Sequence, residues 1–164
     1  ETKQFSVAKK YLKKIWSNNP HPELKIAIIE LAKNLKIEII ELAKYIVGSN
    51  SNEESKILLV EASIIDNRWS EARKELINLL DSNPKKEVCL LMAKIEEGEN
   101  SDIQKMNSWT LRAEKGEENY MWICSNTNRS QIEWTSVSSD GYFNSLVWKQ
   151  PYMIQQNTSI NIVK

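Results

Sequence analysis

The chain has 164 residues, and its 22 basic and 22 acidic side chains balance to a net charge of zero. That length holds one domain with a substantial core, or a helical array with a small appendage. Balanced charge leaves no bulk electrostatic footprint for nucleic acid or an anionic lipid surface, and the 41% hydrophobic and 27% charged content is that of a folded chain. The longest apolar run, VCLLMA at 88–93, is far shorter than the roughly 18 residues that suggest a membrane span. The opening ETKQF starts inside a helical pattern, which reads as a piece of a longer protein. Cys89 and Cys124 form neither a disulfide framework nor a Cys-x-x-Cys pair.

In chain order, Ala8, Leu12, Ile15 and Pro20 have the spacing of one helix and its end. In PELKIAIIELAKNLKIEIIELAKYIV, Leu24, Ile28, Leu31 and Leu35, then Ile39, Leu42 and Ile46, trace one face, with lysines and glutamates on the other. Pro22 suits a first helical turn and Gly48 a helix end, so a helix or helix pair is expected between them. SNEE at 51–54 and SDIQ at 101–104 have capping-box form.

An internal repeat orders these helices. Counting back from Pro84, residues Leu80, Leu79, Leu76, Ala72, Trp69, Asn67 and Leu59 fall at the large, small and turn positions of a tetratricopeptide repeat of about 34 residues. Ala72 takes the close helix crossing and Pro84 closes the second helix. The full repeat is 53–86. The same ruler makes 1–20 half of a preceding repeat and 23–52 a degenerate repeat with a tight turn near Asn34. Residues 87–118 become a partial repeat through Leu90, Ala93 and Ala113. A helix pair cannot bury both of its apolar faces alone, so neighbours stack and share a core. The fold expected is mostly α: a tetratricopeptide-like right-handed α-solenoid of antiparallel helix pairs over 1–118, with a small C-terminal antiparallel β-hairpin cap.

Beyond residue 118 the only charged residues are Arg129, Glu133, Asp140, Lys149 and Lys164. The apolar period there becomes two. YMWICSN, QIEWTSV and SLVWKQ read as three short antiparallel strands, separated by the turn sequences NTNRS and SSDGY. They make residues 119–152 the cap, and 153–164 a polar tail that is disordered or lends a strand elsewhere.

The cap resembles a zinc ribbon without its ligands. Cys124 is the one cysteine there, with Thr127 three residues on and hydroxyls or Asp140 near the second turn, so no metal is expected. Structural zinc contributes on the order of 10 kcal/mol, against about 0.5–1.5 kcal/mol for an aromatic pair. The cap is therefore expected to pack through Trp122, Trp134, Phe143 and Trp148 onto the last helices, with Trp109 at the seam.

No catalytic arrangement is evident. His21, the only histidine, lies between two prolines at a helix start, where capping explains it. The four glycines form no phosphate loop, and Glu96, Glu97 and Glu99 suit a solvated face. What remains is a surface. In tetratricopeptide arrays the first helix of each pair lines a concave groove for peptides or partner helices. On repeat 53–86 those positions are Glu54, Ile57, Glu61, Ile64 and Ile65, a mixed apolar and acidic stripe for which core packing of Ile57 or Ile64 is the equal alternative; Glu61→Lys is expected to weaken capture without unfolding the domain, the behaviour of a free acid.

RWSEARKELINLLDSNPKKEVCLLMAKIEEGENSD, followed by the W-x-C of Trp122 and Cys124, Glu133-Trp134, and the F-x-x-L-x-W from Phe143 to Trp148 with Pro151, resembles the HemY family. These are bacterial inner-membrane tetratricopeptide proteins associated with late haem biosynthesis, and the similarity covers most of 8–151. Alphaproteobacterial relatives carry Cys-x-x-Cys knuckles in the hairpin. Here Cys124 alone matches, Thr127 stands in its partner's place, and the second pair is replaced around 137–140. The resemblance implies an N-terminal membrane anchor outside this chain, an inner-membrane location with the soluble domain on the cytoplasmic side, and no catalytic residues.

The expected function is a non-enzymatic protein–protein interaction scaffold linked to haem biosynthesis, with haem-pathway enzymes as partners, no cofactor, no nucleic acid, and membrane contact only through the anchor. The alternative is a haem or porphyrin carrier, whose axial ligands would come from His21, Cys124 or a Met. A zinc module completed by another chain is the remaining rival.

Overall fold

The computed structural model describes residues 3–80 and 84–151, which divide into two compact units between Glu117 and Glu118. The tail expected at 153–164 lies outside the described residues. The first unit is helical: α1 Lys3–Asn18, α2 Pro22–Leu35, α3 Ile39–Val47, α4 Glu53–Ile65, α5 Trp69–Ile77, α6 Lys86–Asn100 and α7 Ile103–Lys115. The second holds a three-stranded antiparallel sheet of β1 Met121–Cys124, β2 Ser130–Gln131 and β3 Leu146–Lys149, in the order β2-β1-β3.

Local chemistry sets the helix ends. His21 caps α2, its Nδ1 accepting from the Glu23 backbone N–H at 3.2 Å, and Pro22 takes the first turn where a missing N–H costs nothing. Lys36, at φ 54°, then turns the chain so that the Ile37 N–H reaches the Ala32 carbonyl at 3.1 Å. Only residues 36–38 separate α2 from α3. Neither expected capping box forms; each helix instead has a simple N-cap one residue later, which puts Ser55 and Lys105 rather than Glu54 and Gln104 at the third position. Asn52 accepts from the Ser55 N–H at 2.8 Å to cap α4, and Asp102 accepts from the Lys105 N–H at 3.0 Å to cap α7. Ser101 instead ends α6 in the left-handed region, at φ 52°.

From α2 to α7 each helix packs on the next, and α2, α4 and α6 also touch in turn, while α1 packs chiefly on α3. Two apolar cores result. Trp16, Ile28, Ile40, Ile46 and Leu58 build the first; Ile57, Val60, Leu76, Val88 and Ile95 build the second, with Trp109 packed against it. Helix α4 supplies both cores from opposite faces, so it is apolar nearly all round, as a central helix should be. Trp16 anchors α1 by donating its indole N–H to the Ser55 hydroxyl at 2.9 Å. Ala72 is fully buried.

Gly98 lets α5 and α6 approach: a Cβ there would lie 2.3 Å from the Trp69 ring. Across the same pair, Arg73 joins Glu96 and Glu99, each at 2.7 Å. At the end of the unit the Lys86 N–H reaches the Glu117 carbonyl at 3.0 Å, and a Cβ on Gly116 would stand 2.9 Å from the Pro84 carbonyl oxygen.

In the second unit β1 is central, with Trp122 opposite Gln131 on one side and Trp148 on the other. The Trp122 and Trp148 rings meet edge to face, centroids 5.1 Å apart. The expected middle strand over QIEWTSV shrinks to two residues. Gln131 explains this, because its amide donates to the Glu133 carbonyl at 2.7 Å and the Thr135 hydroxyl at 2.9 Å while its oxygen accepts from the Ser139 N–H at 3.0 Å. These local bonds fold the chain back on itself in place of a ladder.

Candidate functional site

The five groove candidates on α4 separate into different environments. Ile57 is a buried member of the second core, and Ile64 packs against that core from its edge. Glu54 turns inward; its Oε2 is buried without a hydrogen-bond partner, and burial pushes its carboxyl above the usual carboxylate range. Glu61 is not the free acid expected. It accepts from Lys25 Nζ at 3.2 Å, and Glu87 accepts from the same ammonium at 2.8 Å. Lys25 is 4% exposed, contrary to the expectation that the lysines of α2 fall on the solvent face. Burial opposes its charge, but Glu87 and Glu61 outweigh that and raise its pKa. One ammonium thus joins α2, α4 and α6, and replacing Glu61 by Lys would set a second cation against it.

Beside this cluster the three helices enclose a cleft of about 310 Å³. Ile26 and Ile29 of α2, Ile64 and Ile65 of α4, and Leu91 of α6 line its apolar part; Glu30, Lys33 and Lys94 stand on the rim. Sequence reasoning found the α4 contribution and missed the rest. The available signal was a second apolar stripe on α2, since Ile26 and Ile29 lie off the Leu24, Ile28, Leu31, Leu35 face. A larger cleft of about 610 Å³ lies at α1 and α3, lined by Phe5, Leu35, Ile37, Leu42 and Tyr45. Its charged groups are engaged within the protein: Glu38 with Arg68 at 2.7 Å, and Lys9 over the Phe5 and Tyr45 rings, 5.2 Å from each. The smaller cleft keeps Lys33 and Lys94 without an ion pair among the described residues.

In the sheet unit the two turns bring Cys124, Thr127, Ser138, Asp140 and Ser145 together. Asn128, at φ 57°, and Gly141, at φ 86°, shape the two turns. Cys124 is buried, its Sγ 3.3 Å from the Ser145 hydroxyl. Thr127 donates to the Asp140 carboxylate, which also takes Arg129 at 2.8 Å. Hydrogen bonding around the sulfur, from Ser145 first, holds the Cys124 thiol at about 6, below its ordinary value. As a thiol, Cys124 donates to Ser145, whose own proton goes to the Tyr142 carbonyl at 3.1 Å. As a thiolate, it draws that hydroxyl proton toward sulfur. Among the described residues no group of three or more His, Cys, Asp and Glu side chains comes together for a metal ion.

The aromatic positions assigned to cap packing also separate. Trp122 and Trp148 form the ring pair, whereas Trp134 and Phe143 are exposed, Phe143 opposite Val137 in an isolated bridge. Trp109 packs on the second helical core with the Arg112 guanidinium 5.1 Å from its ring. Of the ligands the carrier reading needs, His21 Nδ1 is occupied as a helix cap and Cys124 is enclosed by hydroxyls. Among the described residues no helix is long and apolar enough to cross a membrane. Compared with protein-family models, with curated proteins and with solved structures, the chain matches none.

Proposed function

We propose that the helical unit is a non-enzymatic interaction module, a tetratricopeptide-like array that takes an apolar segment of a partner protein into the cleft along α2, α4 and α6. The observation that carries this reading is the cleft itself: isoleucines and a leucine from three helices, with Lys33 and Lys94 on the rim. Successive helix pairs, with α4 feeding both cores, support an array in which each pair completes its neighbour. The packing of α1 chiefly on α3 departs from that regularity. The resemblance of LMAKIEEGE and the tryptophan-framed hairpin to the HemY family supports a role beside haem-pathway enzymes at the bacterial inner membrane.

The partner binds as a helix or extended peptide with micromolar affinity, on the order expected for a transient interface near 1,000 Å². Ile65→Glu puts a charge into the cleft from a partly exposed position without touching Lys25. The test is affinity capture from detergent-solubilised bacterial membranes, read by mass spectrometry. The reading expects a haem-pathway enzyme enriched by the parent chain and lost with Ile65→Glu. Equal capture by both chains, with native circular dichroism, overturns the cleft assignment.

A further inference from the structure

The cleft along α2, α4 and α6 carries a charge pattern that its apolar lining does not explain. Helix α4 packs on both α2 and α6, and its Ile64 and Ile65 are flanked by Ile26 and Ile29 of α2 and by Leu91 of α6. Each outer helix adds one lysine to the rim, Lys33 from α2 and Lys94 from α6. Both are exposed and have no ion pair among the described residues. The acids of the cleft do not cancel them. Glu61 already accepts from Lys25 at 3.2 Å, and Glu30, one helical turn before Lys33, is also without an ion pair among the described residues.

The walls decide the backbone of an occupant as well. They are three α-helices, whose N–H and C=O groups are bonded along each helix. The cleft thus offers side chains and no open edge. An extended strand seated there would bury backbone groups without partners, whereas a helix brings its own already paired.

We propose that the occupant is an amphipathic α-helix of a partner protein whose apolar stripe is flanked on both sides by acidic side chains, one meeting Lys33 and the other Lys94. The proposal rests on the reading of the cleft as a partner site and names the chemistry that fills it. A seated helix strips water from both ammonium groups. A neutral flank leaves them unpaired and a basic flank repels them, while a carboxylate on each side compensates the loss. The lysine stems meanwhile extend the apolar surface and their heads stay at the rim. Glu30 gives the α2 edge a direction, because it repels an acid set one turn away from Lys33, and so selects one of the two ways round for the helix.

The test is panning of a phage-displayed library of random peptides, about 16 residues long and so roughly 24 Å as a helix, followed by fluorescence anisotropy of the peptides recovered. The targets are the 164-residue chain, its Ile65→Glu variant and a Lys33→Glu, Lys94→Glu double variant. The parent should enrich peptides with apolar residues at helical spacing and an excess of Asp and Glu beside them, and salt at about 0.5 M should weaken their binding. The double variant should bind those peptides about tenfold or more weakly and enrich Lys and Arg in their place. It should keep the parent's circular dichroism, because both positions face solvent. Enriched peptides with no acid excess, with apolar residues at a strand period, or bound equally by the double variant overturn this proposal and leave the cleft as a partner site. No enrichment beyond that of Ile65→Glu overturns the cleft reading and this proposal with it.

Discussion

The helical unit and the sheet unit are held together by different physics. The first buries large side chains in two cores and joins its helices with ion pairs across α2, α4, α5 and α6. In the second, among the described residues, Ile123, Cys124 and Leu146 are the buried apolar side chains, and the turns are closed by hydroxyl, amide and carboxylate hydrogen bonds around Cys124, Gln131 and Ser138. Apolar burial is non-directional and tolerates drift, so the helical unit can change surface residues freely. A small sheet without a core depends on bonds that have direction, and each turn residue matters more to it.

Four substitutions or conditions sharpen that contrast, in descending size. Lys25→Ala removes the cation shared by Glu61 and Glu87 and leaves Glu54 among uncompensated acids. It should cost the helical unit about 3 kcal/mol, measured by urea denaturation, more than any substitution of a fully exposed lysine. Gly98→Ala forces the Trp69 ring off α6 and should cost about 2 kcal/mol by the same assay, an overpacking effect confined to the helical unit. In the sheet unit a double-mutant cycle of Trp122→Leu and Trp148→Leu should return a coupling of about 1 kcal/mol, and a value near zero would remove the ring pair from the account. The last effect, outside that ranking, is one of pH. The Cys124 pKa is depressed on folding, so its contribution is fully present above its ordinary value and is lost as pH falls to about 6. Thermal melting followed by near-ultraviolet tryptophan signals should show stability rising from pH 6 to 9. Cys124→Ser should flatten that slope, while melting of the helical unit by far-ultraviolet signal should not follow it.

The change from helix to sheet was legible after Gly116, because the apolar period itself falls from about 3.6 residues to two. The helix caps were legible as polar N-caps, but displaced by one residue and without the box, since Ser51 and Asn52, or Ser101 and Asp102, are both competent caps and only the backbone decides between them. The buried Lys25 was not legible. Its partners lie 36 and 62 residues away, and local spacing showed only a lysine between isoleucines. For the same reason Glu61 looked free. The shortened β2 was hidden because QIEWTSV alternates well, and only the side-chain amide of Gln131, bonding to its own turn, diverts it from the ladder. The cleft was half visible: Ile64 and Ile65 fell in the predicted stripe, but Ile26, Ile29 and Leu91 come from helices whose alignment no single segment encodes.

The central claim is that the cleft along α2, α4 and α6 receives a partner polypeptide. It is tested most directly by placing a photoreactive phenylalanine analogue at Ile65 in the cleft and, separately, at Ile77, which is exposed on α5 and outside it. After irradiation in bacterial membranes, the account predicts one discrete protein adduct from position 65 and none from position 77. No adduct at 65, or the same adducts from both positions, would contradict it.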